Sequence, residues 1–292
     1  MKHGKAPPPV ELAALVEEHL GFSPESPGSG AWARIVAERV DATGAGSLEG
    51  YRRRLAAAET RREEVSELAR SMTVGETYFF RDGRQFEALT TVILPEVLRR
   101  RPSGDIRILS VACSTGEEPY SIAIAARELL RRGADRIRIH AFDVNPSAIG
   151  AAERAVYSDW ALRATPASLR DRWFAKRGGK YVLAGEAREA VELEVRNLFD
   201  DDEAFWAPGR FDVIFCRNAL IYFSHRKIAT TLGRLTDALA PGGTLFLGHA
   251  ETPRGFEDRL GPRELSGTFV YATRDPSARE RMADGALPAD GV

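Results

Sequence analysis

Cysteine is nearly absent from this chain, with only Cys113 and Cys216 among 292 residues. Each closes an apolar run, so both read as small core residues and not as a disulfide framework. Five scattered histidines beside them also argue against structural zinc, and no metal is expected. Charge of one sign is lacking too: 41 Lys and Arg against 42 Asp and Glu leave a formal net charge of −1. No bulk positive field exists to collect nucleic acid or anionic lipid, so neither is expected as a partner. No run approaches the roughly 18 uninterrupted apolar residues of a membrane span. The opening MKHGKAPPPVEL has no apolar core of signal-peptide length. The expectation is a cytoplasmic, soluble protein without membrane insertion. The 43% apolar and 28% charged content over this length suits one large or two modest domains.

Between Val10 and Arg70 apolar residues recur at three- and four-residue spacing, in VELAALVEEHLGF, AWARIVAERV, LEGYRRRLAAAE and REEVSELARSM. Breaks such as SPESPGSG separate these stretches. Each predicted helix has one apolar stripe, so several must pack together. This predicts an all-helical N-terminal domain over residues 8–70. From residue 84 helices and strands alternate: helix RQFEALTTVILPEVLRRR, strand DIRILSVA, helix SIAIAARELLRR, strand RIRIHAFD, helix PSAIGAAERAVY, then strands AVELEVRN, FDVIFC and GTLFLGH. The last follows a turn at Pro241-Gly242-Gly243, and TFVYATR reads as an antiparallel edge strand. Strands joined by helical crossovers specify an α/β, doubly wound parallel sheet, with its ligand beyond the carboxyl ends of the strands. RWFAKRGGKYVL reads as a small antiparallel β insertion, about 172–190. The sheet domain is thus expected over 84–274, joined to the helical one by a linker, 71–83. DPSARERMADGALPADGV, residues 275–292, reads as a disordered tail.

The turn after the first strand carries the most information. A dinucleotide fingerprint would read G-x-G-x-x-G, but Ala112-Cys113-Ser114-Thr115-Gly116-Glu117-Glu118-Pro119 keeps only the last small position as glycine. Two carboxylates at a helix start either form an ordinary acidic first turn or, since they repel a diphosphate and attract a sulfonium or amino group, point to S-adenosylmethionine and not NAD. Asp143, ending the second strand, stands where a carboxylate accepts both ribose hydroxyls, or else caps the helix beginning near Pro146. Asn197 ends the third strand and serves either a purine edge or a turn. After the apolar FDVIFC, Arg217, Asn218 and Tyr222 bring a guanidinium and a phenol to the ligand edge, which suits an anionic acceptor. Arg81, behind Tyr78-Phe79-Phe80 in the linker, is expected to be positioned by burial of those rings.

The segments ETYFFRD, SVACSTGEEPYSIAI, AFDVNPSAIGAAERAVY, VRNLF and FCRNALIYF, in this order, resemble the CheR family, the chemotaxis-receptor glutamate O-methyltransferases. The resemblance runs from about Val10 to Arg274. It implies a Rossmann-like methyltransferase sheet with a small antiparallel β insertion and an all-helical N-terminal domain. It further implies S-adenosyl-L-methionine as methyl donor, S-adenosyl-L-homocysteine as product, and the cytoplasmic domain of chemoreceptors as partner of a monomeric enzyme. Carried over by position, cofactor contacts are expected from Thr77, Arg81, Glu117, Asp143, Asn197, Leu198, Arg217 and Asn218. Arg81 and Tyr222 are expected to flank the transferring methyl group as the catalytic pair. One departure stands out: Gly75 replaces the asparagine usual two residues before that threonine.

The implied reaction needs no general base, because a glutamate with a pKa of about 4.3 is ionised at neutral pH. Alignment and exclusion of water then carry catalysis. The competing readings are a non-catalytic module sensing S-adenosylmethionine or S-adenosylhomocysteine, which retention of Arg81, Arg217 and Tyr222 disfavours, and a NAD oxidoreductase, which the missing glycines disfavour. For receptor docking, the run Tyr51-Arg52-Arg53-Arg54, with Arg34 and Arg39 nearby in sequence, is expected to form a basic face.

Overall fold

The computed structural model describes residues 10–73, 75–131 and 134–274; the expected tail and residues 8–9 lie outside them. The N-terminal periodicity becomes four helices: α1 (Val10–Leu20), α2 (Trp32–Ala42), α3 (Leu48–Ala56, its first turn capped by the Ser47 hydroxyl) and α4 (Ala58–Met72). Their stripes meet in one core built around Leu15, Trp32, Tyr51, Leu55 and Leu68. Glu64 is buried within it. Arg39 Nη2 at 2.8 Å, Arg54 Nε at 3.1 Å and the Tyr51 hydroxyl at 3.1 Å all donate to its carboxylate. Of the arginines expected to form a basic face, Arg39 and Arg54 are thus paired with a buried carboxylate, while Arg34 bonds the exposed Glu38 at 2.6 Å and Arg52 lies 4.0 Å from the exposed Glu49.

The long helix predicted after the linker forms in three pieces, α5 (Gly83–Ala88), a π turn (Leu89–Ile93) and α6 (Leu94–Arg100). Pro95 has no N–H for the carbonyl one turn back, and the widened turn lies where that bond is missing. The alternating region follows as β1 (Ile106–Val111), α7 (Glu117–Leu130), β2 (Ile137–Asp143) and α8 (Pro146–Arg154). An inserted segment holds β3 (Val156–Tyr157), α9 (Ala167–Trp173), β4 (Phe174–Arg177), β5 (Lys180–Leu183) and α10 (Gly185–Glu189). The main sheet resumes with β6 (Val191–Val195), β7 (Phe211–Cys216), α11 (His225–Ala238), β8 (Leu239–Leu247), β9 (Leu260–Leu265) and β10 (Thr268–Thr273).

Seven strands form the main sheet in the order β6-β2-β1-β7-β8-β10-β9, with β10 antiparallel to β8 and β9 antiparallel in turn to β10. β1 pairs with β2 on one side and β7 on the other, so the strand order reverses there. A crevice opens beyond the carboxyl ends of these strands. The small sheet, β3-β5-β4, is antiparallel. Its β4–β5 turn uses Gly178 and Gly179 at φ of 54° and 76°, the pair of positive values that a tight hairpin requires.

Three sequence expectations change. TFVYATR is not the edge strand: β10 lies between β8 and β9. The edge is LGPREL, whose Pro262 is tolerated there because one side of an edge strand needs no donor. β8 begins at Leu239, so Pro241-Gly242-Gly243 lies inside the strand, where the pairing with β7 shifts register. Val156–Tyr157, expected at a helix end, is a strand, because the helix stops at Arg154 with Ala155 left-handed at φ 51°. Among the described residues no helix is long and apolar enough to cross a membrane.

Candidate cofactor and acceptor site

At the end of β1 the chain turns sharply through Ala112 and Ser114, both left-handed at φ 54° and 51°. Gly116 follows at φ 92° as the N-cap of α7. A Cβ on it would lie 2.8 Å from the Ala152 Cβ and 2.9 Å from the Tyr120 ring. The retained glycine thus serves the turn and helix packing. Asp143 is buried, and its carboxylate accepts the backbone N–H of Ser114 at 2.9 Å and of Asn145 at 2.8 Å. Burial pushes its pKa up, and the backbone donors oppose that. It does not cap α8: Asn145 does, accepting from Ser147 and Ala148. Asp143 therefore braces the β1 turn and lines the cavity.

That cavity, of about 320 Å³, has a floor from the ends of β1, β2, β6 and β7 and a roof from the helical region, including Leu20, Phe22, Ser26, Trp32 and Met72. Leu198 and Asn197 line it. Asn197 also donates its side-chain amide to the His19 carbonyl at 2.7 Å and accepts from Phe199 N–H at 3.0 Å. The turn-forming alternative for this residue is therefore realised. The Ser26 hydroxyl is buried without a protein partner; a serine in the SPESPGSG break carries no mark of this role.

A second chamber of about 130 Å³ is lined by Thr77, Tyr78, Arg81, Glu118, Arg217 and Ile221. Both chambers share Gly75, Ala112, Ser114, Asn218 and Tyr222, so they form one cleft with Asn218 and Tyr222 at the junction. The buried Arg217 guanidinium donates to Glu118 at 3.3 Å and to the Arg81 carbonyl at 2.6 Å, while its Nε has no partner. Burial pushes the Glu118 carboxyl up, and the charge of Arg217 and a hydrogen bond from Ser110 oppose it. Arg81 Nη1 donates to the Glu76 carbonyl at 2.7 Å. Phe79 and Phe80 are buried on either side of this linker's fold, as expected; Tyr78 remains half-buried. Phe80 and Asp82, flanking Arg81, are left-handed at φ 56° and 66°, as is Asn218 at 58°. Each such residue costs on the order of 1 kcal/mol, so the surrounding packing holds the cleft in shape.

Of the residues expected to contact cofactor, Asp143, Asn197 and Leu198 line the larger chamber, Thr77, Arg81 and Arg217 the smaller, and Asn218 both. Tyr222 also lines both. Glu117 lines neither. It is buried, accepts from the Thr115 hydroxyl at 2.6 Å, and has its pKa raised by burial. Successive helical residues differ by about 100°, so with Gly116 as cap it is Glu118 that faces the chamber. One residue the motifs do not flag is Glu251. Its buried carboxylate accepts backbone N–H groups from Asn218 at 2.8 Å, Leu220 at 2.7 Å and Gly248 at 2.6 Å, pinning the loop that carries Tyr222.

These features fit S-adenosylmethionine. Asp143 retains acceptor capacity for ribose hydroxyls, Phe142, Val144 and Leu198 supply apolar surface, and the unpartnered Arg217 Nε suits a carboxylate. Glu118 supplies negative charge beside the junction. The fold and cleft define an S-adenosylmethionine-dependent methyltransferase. Residues 75–266 match the family model described as CheR methyltransferase, SAM binding domain, and the chain belongs to that family, with S-adenosylmethionine as its cofactor. It is 36% identical over 217 residues to chemotaxis protein methyltransferase 2 of Vibrio cholerae, covering 74% of this chain and 75% of that one. Chemotaxis protein methyltransferase Cher2 of Pseudomonas putida is 34% identical over 219 residues, or 73% and 78% of the two chains. The probable biofilm formation methyltransferase WspC of the same organism is 32% identical over 288 residues, 94% of this chain and 66% of that one.

Proposed function

We propose that this chain is a protein-glutamate O-methyltransferase that esterifies side-chain carboxylates on the cytoplasmic domain of chemoreceptors, with Thr77, Arg81, Glu117, Asp143, Asn197, Leu198, Arg217 and Asn218 as its cofactor residues and Arg81 and Tyr222 as its catalytic pair. The single observation that carries the reading is the small chamber, lined by Arg81, Arg217 and Tyr222, of which Tyr222 also lines the cofactor cavity. Bound S-adenosylmethionine supplies a methyl group made electrophilic by the sulfonium. An ionised glutamate enters beside Arg81 and is aligned by it and by the Tyr222 hydroxyl. With the cofactor bound, the methyl would pass to the carboxylate oxygen as its bond to sulfur broke, leaving an ester and S-adenosylhomocysteine, and the residues lining the chamber would have no proton to move. Tight neutralisation of the nucleophile would slow this step. Arg81 is partly engaged by the Glu76 carbonyl and Arg217 by Glu118, which tempers their pull.

The segment from Leu20 to Trp32 roofs the cofactor cavity, so the helical unit, which we place at residues 8–70, completes the binding site as well as joining the linker at 71–83 to the methyltransferase unit at 84–274. Presence of a guanidinium and a phenol at the junction disfavours a purely sensory role. The relatives' names attach both chemotaxis and biofilm formation to such enzymes; the proposal concerns the reaction common to them. Incubation with methyl-labelled S-adenosylmethionine and a receptor cytoplasmic fragment tests it. Label that alkali releases as methanol is expected. Alkali-stable label, or none, would refute the reading.

A further inference from the structure

A protein acceptor has to be held at the mouth of the small chamber, and Arg39 of α2 and Arg54 of α3 are committed to the buried Glu64. At that mouth stands a different feature. The Arg163 guanidinium lies 3.6 Å from the centre of the Tyr78 ring and 4.1 Å from that of Trp160. Tyr78 lines the chamber, whereas Trp160 is 67% exposed.

The stack is held in place before any partner arrives. Arg163 Nη1 donates to the Trp160 carbonyl at 2.8 Å, and Phe79 N–H donates to the Ala161 carbonyl at 2.9 Å, which ties this turn to the linker. The Phe79 ring in turn packs edge-on against Tyr157 and Phe174 at 4.7 and 4.9 Å. Side chains fixed in advance lose little freedom on binding, and Trp, Tyr and Arg dominate the energetics of protein interfaces. Ile221, 41% exposed, also lines the chamber. Arg163 is exposed on this rim and its guanidinium bonds a backbone carbonyl and not a carboxylate, so its charge is available to an anionic partner, with buried Glu117 the carboxylate it influences.

We propose that the Trp160–Arg163–Tyr78 stack is the platform on which the acceptor segment of the receptor docks, an acidic helix whose carboxylates meet Arg163 while its aliphatic stems cover the Trp160 indole. The inference rests on the receptor-glutamate reading and adds to it the surface that selects the substrate. Docking there leaves a neighbouring glutamate facing Arg81 and Tyr222.

The test is the initial rate of methyl transfer against concentration of a receptor cytoplasmic fragment. Trp160→Ala and Arg163→Met are each expected to raise KM about ten-fold while leaving kcat and S-adenosylhomocysteine affinity within two-fold of wild type. Trp160→Phe should stay near wild type, and the Arg163→Met effect should shrink as salt is raised. Retained S-adenosylhomocysteine binding shows that each variant is folded. A KM within two-fold of wild type in both variants would overturn the platform while leaving the reaction intact. If wild type fails to methylate the fragment, the receptor-glutamate reading falls, and calorimetric titration of the fragment decides the platform separately. Weaker binding by Trp160→Ala supports it, and equal or absent wild-type binding overturns it.

Discussion

Ser23 donates its backbone N–H to the carbonyl of Tyr222 at 2.8 Å, and Ser224 returns a bond to Gly21 at 3.0 Å. The turn after α1 is thus paired with the loop that carries the proposed catalytic phenol. Phe22 stacks on Phe223 with ring centres 6.1 Å apart. A Cβ on Gly21 would lie 2.2 Å from the Phe199 ring, so glycine is needed for this close approach. Helical region and sheet together set the place of Tyr222.

Tyr222→Phe removes the hydroxyl and keeps the packing. It is expected to lower kcat by about ten-fold or more, with S-adenosylhomocysteine affinity nearly unchanged, because the hydroxyl is proposed to act on the transferring group. Steady-state kinetics beside a calorimetric titration check this, and undiminished kcat would make Tyr222 a packing residue.

Asp143→Ala deletes both the proposed acceptor for the cofactor and the brace on Ser114 and Asn145. A loss of roughly 1.5–3 kcal/mol in S-adenosylhomocysteine affinity is expected, about ten- to a hundred-fold. Calorimetry on folded protein measures it. Unchanged affinity would reduce the residue to its backbone bonds.

Ser26→Ala separates a ligand contact from a structural one by the sign of two effects. A buried hydroxyl without a partner contributes nothing to the ligand-free fold, so the variant's melting temperature should stay level or rise. If the hydroxyl bonds the cofactor, affinity for S-adenosylhomocysteine should fall about three- to ten-fold. Thermal melts with and without ligand read both, and unaltered affinity would remove Ser26 from the site.

Glu64 governs the acid stability of the helical region. Burial acts to raise its pKa, but the bonds from Arg39 and Arg54 outweigh burial and hold it below the usual carboxylate range. A carboxyl depressed in the folded state adds stability above its unfolded pKa, and that stability is lost as pH falls through the folded value. Glu64→Gln should cost about 2–4 kcal/mol at neutral pH. The gap to wild type should narrow as pH drops below the ordinary 4.5. Denaturant titrations across that range would show a constant gap if the charge were immaterial.

The parallel sheet and the cleft edge were readable because strands alternate with helices and end in Asp143, Asn197 or Arg217 where the ligand belongs, most abruptly after the buried run Phe211–Cys216. That Glu118 and not Glu117 lines the small chamber was not readable, since the phase of a helix depends on where its cap falls, and Gly116 takes that place only through its left-handed turn. β9 was hidden because LGPREL alternates weakly and contains Pro262. Ser26, Glu251 and the Trp160–Arg163 pair were unreadable for a common reason. Each lies in an irregular connection, and only the packing of distant segments gives its side chain a neighbour that matters. The pairing of Arg39 and Arg54 with Glu64 was hidden on the same ground, because Glu64 is distant in sequence from both.

The most direct measurement of the central claim is peptide mass spectrometry of a receptor cytoplasmic fragment after incubation with this protein and S-adenosylmethionine, before and after mild alkali. The account predicts a methyl group on glutamate side chains that alkali removes and that Tyr222→Phe installs more slowly. Methylation confined to lysine, arginine or another nitrogen, stable to alkali, or no added methyl at all, would contradict it.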